Sequence, residues 1–127
     1  MTDALSGNKL VEKAFVYMNS VTKECRKALT GQFELEHKGI PFGSVEGVMR
    51  QGIESWFAKR DPNIKLSHER SLSARLGEIR MTYAGSMKGA HFKVHFDGNF
   101  STVGSSGEAS SYLKTLNVHV EKTEFTR

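Results

Sequence analysis

The dominant hydrophobic period of the chain changes near residue 60, and the change divides it in two. Over roughly the first 60 residues apolar positions recur every three or four residues; beyond them they alternate. Val11, Ala14, Phe15, Met18, Val21, Cys25, Ala28 and Leu29 form one stripe, which predicts a helix over residues 8–30. Ser6 or Asn8 can cap its start, Arg26 and Lys27 suit the negative end of its dipole, and Gly31 predicts its stop. "QFELEH" at 32–37 alternates Phe33 and Leu35 with polar neighbours and reads as a short strand. Pro41 and Gly43 then break the chain, and Ser44 is placed to cap a second helix over about 44–59. Val45, Val48, Met49, Ile53, Trp56 and Phe57 give that helix a broad apolar face. Gly47 and Gly52 each cost it about 1 kcal/mol relative to alanine, which predicts close packing on another backbone, that of the sheet.

After "RDPN" the pattern becomes that of strands. Ile64 and Leu66 begin it, "SHERSLSARL" does not resolve, and Ile79, Met81 and Tyr83 alternate with Glu78, Arg80 and Thr82. "AGSMKG" predicts a turn. In "AHFKVHFDGNFSTVG", residues 90–104, Phe92, Val94 and Phe96 alternate with His91, Lys93 and His95, and "DGN" reads as a hairpin turn before Phe100. "GSSGEASS" reads as a small loop. Leu116, Val118 and Val120 then alternate with Asn117, His119 and Glu121.

These elements predict a single α+β domain over residues 1–127, with two N-terminal helices packed on one face of an antiparallel β-meander. Helix, short strand, helix and about four strands resembles, in element order alone, the curved-sheet cone of the NTF2-like fold. At 127 residues, 38% hydrophobic and 25% charged, the chain can build such a core without disulfides or metal. Its one cysteine, Cys25, lies on the apolar helical stripe and is expected as a buried hydrophobe, which suits a reducing, cytoplasmic setting. The first residues have no signal-peptide pattern, and no apolar run is long enough for a bilayer, so no membrane partner is expected.

Charge changes the picture more than composition does. The net charge is +4, and it is unevenly spread. Residues 50–93 carry nine Lys/Arg against four Asp/Glu, a net of +5, while residues 1–49 balance at six against six and residues 94–127 carry three against four. A local excess of this kind favours an acidic partner, a protein surface or a nucleic acid. The spread of the cations, without a dense cluster, tilts the choice toward protein.

Candidate chemistry is sparse. By strand parity Phe92, Val94 and Phe96 point to the helices with Trp56 and Phe57, while His91, Lys93, His95 and His119 share the opposite face. Three imidazoles can form a zinc set, but Lys93 between two of them opposes a dication, so no metal is expected. Glu34 and Glu36 share a face of the first strand and read as solvated. "GSVEG" at 43–47 has its serine one place early for a nucleophile elbow, and "GSSGEASS" lacks the phosphate-loop lysine and helix. No cofactor and no catalytic residue is assigned. The reading that follows is a small non-enzymatic binding module, an accessory or inhibitor-type protein, that docks its basic middle segment and polar sheet face on an acidic partner. Its expected binding residues are Arg75, Arg80, Lys88, His91, Lys93, His95 and His119. The alternatives are a ligand-binding protein or enzyme with a pocket between curved sheet and helices, and a structural subunit that forms homo-oligomers through a strand edge.

Overall fold

The computed structural model describes residues 2–34, 39–41, 43–75, 77–104 and 109–123; for residues 2–8, 74 and 75 it describes the backbone alone. Two helices, α1 (Thr2–Phe33) and α2 (Val45–Arg60), lie on one face of a five-stranded sheet of β1 (Ile40–Pro41), β2 (Lys65–Arg75), β3 (Glu78–Met87), β4 (Ala90–Val103) and β5 (Ser110–Lys122). The strand order is β1-β5-β4-β3-β2 and every pairing is antiparallel, so the α+β meander expected from the sequence is the observed architecture, curled into a half-barrel.

α1 runs past the predicted stop at Gly31. Its buried stripe, Met18, Val21, Cys25 and Leu29, continues in step to Phe33, which is itself buried. Burying a phenylalanine gains about 1.5–3 kcal/mol, more than the roughly 1 kcal/mol a helical glycine costs. Of the short strand expected at 32–37, Gln32 and Phe33 are instead helical and Glu34 is a bend, while residues 35–37 lie outside the described residues. Ala28, assigned to the stripe by spacing, faces solvent.

α2 buries Met49, Ile53 and Phe57 at intervals of four. Ser44 precedes it and accepts the Val48 N–H through its carbonyl at 3.0 Å; its side chain makes no capping bond. The two glycines do not meet the sheet. A Cβ on Gly52 would stand 3.3 Å from Leu29 of α1, and nothing lies near Gly47. α2 ends where Asp61 turns out of the helix and accepts the Asn63 N–H at 2.9 Å, with Pro62 between them.

The turn expected in "AGSMKG" narrows to Lys88–Gly89, both with positive φ (50° and 83°), the two-residue connection that matches strand twist. The turn expected at Asp97-Gly98-Asn99 is absent. β4 passes straight through it, with Asp97 opposite Arg80 and Asn117, and Gly98 opposite Ile79 and Leu116. Phe92, Val94, Phe96 and Phe100 keep one phase throughout, and the glycine sits where a Cβ would come 3.0 Å from the Phe100 ring. Burial of that continuous row outweighs the local turn chemistry. Tyr83 is buried among these side chains, edge-on to Phe96 with centroids 5.7 Å apart, and its hydroxyl donates to Glu54 at 3.1 Å. Trp56, half-buried, meets Phe57 edge-on at 5.1 Å.

Candidate functional site

With both helices on the side of Phe92, Val94 and Phe96, no described element covers the other face of the sheet. Successive residues of β4 deliver Lys93, His95 and Asp97 to this outer face, β3 delivers Arg80 and Thr82, and β5 delivers Asn117, His119 and Glu121 in register with them. β2 contributes through an irregularity. His68 pairs with Tyr83, but Arg70 pairs with Thr82, so Glu69 is an extra, bulged residue. The bulge reverses parity: Leu66 and His68 belong to the helix side, Arg70 and Leu72 to the outer side.

The outer face is tightly paired. His95 and His119 sit opposite each other with rings 5.9 Å apart and 20° from parallel. His95 Nδ1 is 3.2 Å from the Thr82 hydroxyl and Nε2 is 2.9 Å from Glu121 Oε1. A neutral ring carrying its proton on Nε2 satisfies both, donating to the carboxylate and accepting from the hydroxyl. That hydrogen bond from His95 holds the Glu121 carboxyl below its usual range. Lys93 binds Glu69, and Arg80 lies 3.4 Å from Glu78 and 3.7 Å from Asp97. Arg70 has no ion partner among the described residues, and Leu72 beside it is 50% exposed. Two open hollows meet at Arg70 and His95. One, about 600 Å³, is bounded by Glu69, Lys93 and Glu121; the other, about 420 Å³, by Leu72, Arg80, Asp97 and His119.

Of the residues expected to bind, Arg80, Lys93, His95 and His119 come together here. His91 has the same parity but stands exposed at the hairpin end. Lys88 occupies the hairpin tip, away from the face. Arg75 closes β2, and its side chain lies outside the described residues. Arg70, Glu69 and Leu72 escaped the sequence reading because period-two counting does not register a bulge.

The +5 excess of residues 50–93 does not form one positive surface. Arg60 binds Glu24 of α1 at 2.9 and 3.3 Å, and Arg50 lies 3.8 Å from both Glu46 and Glu54. Among the described side chains, strand parity brings three cations (Arg70, Arg80, Lys93) and four carboxylates (Glu69, Glu78, Asp97, Glu121) to the outer face. Among the described residues this face offers charged and hydrogen-bonding side chains, and the chain's one thiol lies elsewhere. Cys25 is fully buried, burial pushes its thiol up to about 12, and it is not a thiolate at neutral pH. Among the described residues no three His, Cys, Asp or Glu are grouped to hold a metal ion, and no helix is long and apolar enough to cross a membrane. Comparison of the chain with protein-family models, curated proteins and solved structures gave no match.

Proposed function

We propose that the chain is a small non-enzymatic binding module that docks an acidic segment of a partner protein on the outer face of its sheet. The observation that supports this most is the position of Arg70. It has no ion partner among the described residues, stands between the two hollows, and neighbours Arg80, His95 and the exposed Leu72. An arginine in that position offers a carboxylate a two-pronged hydrogen bond. The existing pairs do not bar entry. Exposed ion pairs contribute about 0–1 kcal/mol, so exchanging Glu69 or Asp97 for a partner's carboxylate costs little.

The balance of charge favours protein over nucleic acid. Phosphate backbones are held by many uncompensated cations that release counterions, and here carboxylates lie among the cations. Strand-edge self-association finds less support, because the long edge strand β2 is interrupted by register shifts after His68 and after Leu72, which blunt an edge against pairing.

The test is a titration of the full chain with an oligoglutamate peptide and with a single-stranded oligonucleotide of equal charge, at low and moderate salt. The peptide is expected to bind, with modest salt sensitivity, and Arg70→Glu to abolish binding while His91→Ala leaves it unchanged. Tighter binding of the oligonucleotide with a steep salt slope would replace the reading with nucleic-acid recognition. Failure of both, or indifference to Arg70→Glu, would remove the acidic partner altogether.

A further inference from the structure

The helix-facing side of the sheet changes character along its strands. Through the middle of the sheet it is packed with Tyr83, Phe92, Val94 and Phe96. Toward the other end the inward positions carry hydroxyls: Ser71 on β2, opposite Met81, and Thr102 and Ser111, opposite each other on β4 and β5. Thr102 and Ser111 bond to each other at 3.2 Å, and Ser111 is only 2% exposed. Leucine at Ser71 or Ser111 would extend the apolar packing, and Thr102 stands exposed at the rim. A hollow of about 270 Å³ remains between the first turn of α2 and the sheet, with Val45, Ile79 and Phe100 as apolar walls and Glu46, Thr102 and Ser111 as polar ones.

Glu46 is held in place from several sides. Its Oε2 accepts the Ser71 hydroxyl at 2.7 Å and lies 3.8 Å from Arg50 and 3.9 Å from His68 Nε2. His68 Nε2 is 2.8 Å from Ser71 Oγ. A serine hydroxyl has one proton, and with that proton on Glu46 the histidine must be the donor to Ser71. The network therefore orients a carboxylate and does not activate a nucleophile. All these contacts fall on Oε2; Oε1 has no partner among the described residues.

We infer that this hollow is a binding site for a small, mainly apolar molecule with a single hydrogen-bond-donating head, an alcohol or an amine. The body fits against Val45, Ile79 and Phe100, and the head meets Glu46. The size sets the class: the space equals roughly nine waters at about 30 Å³ each, below the usual range of drug-sized pockets. The fixed carboxylate excludes an anion. This site lies on the opposite face of the sheet from Arg70 and is independent of the docking surface.

The probes are benzyl alcohol, benzylamine and benzoate, titrated separately into the isotopically labelled full chain and followed by amide shifts. The alcohol and the amine are expected to saturate and to move the amides of Val45, Gly77, Ile79, Phe100 and Ser111, with benzoate far weaker. Glu46→Gln is expected to weaken benzylamine about tenfold, the loss of one hydrogen bond to a charged group, and to change benzyl alcohol little. Thr102→Phe should project a ring into the space and weaken both. Shifts confined to the outer face, benzoate binding as well as benzylamine, or indifference to both variants would overturn the site. Because the readout maps to one face, failure here leaves the oligoglutamate titration unaffected, and the converse holds.

Discussion

Along β4 the residues Phe92, Val94 and Phe96 and the residues Lys93, His95 and Asp97 share one backbone and one set of neighbouring strands, yet meet different surroundings. The first set belongs to one buried cluster with Met18, Val21, Ile53 and Phe57 and has at most 2% of its surface exposed; the second is half-exposed and engaged in charged pairs. The first set contributes by burial, about 1.5–3 kcal/mol per side chain. The second contributes through exposed hydrogen bonds and ion pairs, each on the order of 1 kcal/mol or less. The lesson is about freedom. The inner row must keep its volumes, because close-packed interiors feel single methylenes. The outer row can change composition without unfolding the domain, and so is open to a binding role. The inner face departs from its own rule where hydroxyls replace apolar side chains over the hollow beside Glu46.

The sharpest way to break this comparison is to exchange the two environments by one residue. Val94→Asp places a carboxylate at a position with no exposure, inside the apolar core cluster. Burying it unpaired costs several kcal/mol, a large part of a typical stability of about 5–15 kcal/mol. His95→Ala, one residue on, is expected to cost about 1 kcal/mol or less, since its side chain is 38% exposed and its bonds to Thr82 and Glu121 are replaced by water. Urea unfolding monitored by circular dichroism reads both. Equal midpoints for the two variants would refute the assignment of faces.

That assignment was legible in the sequence because Phe92, Val94 and Phe96 alternate with polar residues in a strand paired on both sides. The missed features have local causes. "DGN" carries strong turn chemistry, yet Phe100 stays in phase with Phe96, and the long row of inward aromatics outweighs a two-residue preference. Gly31 reads as a stop, but Phe33 continues the spacing of Cys25 and Leu29. β1 is two residues long and includes Pro41, which has no N–H for a ladder, so no strand signal precedes it. Half of the candidate site was visible: Arg80, Lys93, His95 and His119 follow from parity. Arg70 was not, because the bulge at Glu69 shifts parity within β2, and no residue type announces a bulge there. Charge counted by segment was equally blind to Glu24 and Glu46, which reach Arg60 and Arg50 from outside the basic stretch.

A smaller effect separates the sheet from the helix pair. α1 and α2 are tied by Tyr17, whose hydroxyl donates to Asp61 at 2.7 Å, and by Arg60 on Glu24. The Tyr17 hydrogen bond, aided by the Asn63 N–H, holds the Asp61 carboxyl below its ordinary range, and Arg60 does the same for Glu24. A carboxyl with a lowered folded pKa binds its proton less readily folded than unfolded. It therefore favours the folded state above the ordinary carboxylate range, about pH 4, and loses that contribution as pH falls through it. Tyr17→Phe removes the largest cause at Asp61. Its stability deficit should be present at pH 7 and shrink as pH is lowered below about 4. A deficit that stays constant from neutral to acid pH would show that the hydroxyl acts by packing alone. Val94→Asp, by contrast, should recover some stability in acid as its own carboxyl protonates.

The smallest effect decides how easily the outer face yields to a partner. Lys93 and Glu69 form a close pair whose side chains are each 38% exposed, and Glu69 sits at the bulge that brings Arg70 outward. A double-mutant cycle with Lys93→Met and Glu69→Gln isolates their coupling from changes at each site alone. The expected coupling is about 0.2–1 kcal/mol, the range of exposed pairs, and it should fall with added salt. Such a value means that an incoming carboxylate can take Lys93 at little cost, which the docking reading requires. A coupling well above that range would make the pair a fixture that holds the bulge. Lys93 would then be withheld from any partner, and binding on this face would rest on Arg70 and Arg80, whose reversal in the oligoglutamate titration would have to account for all of the affinity.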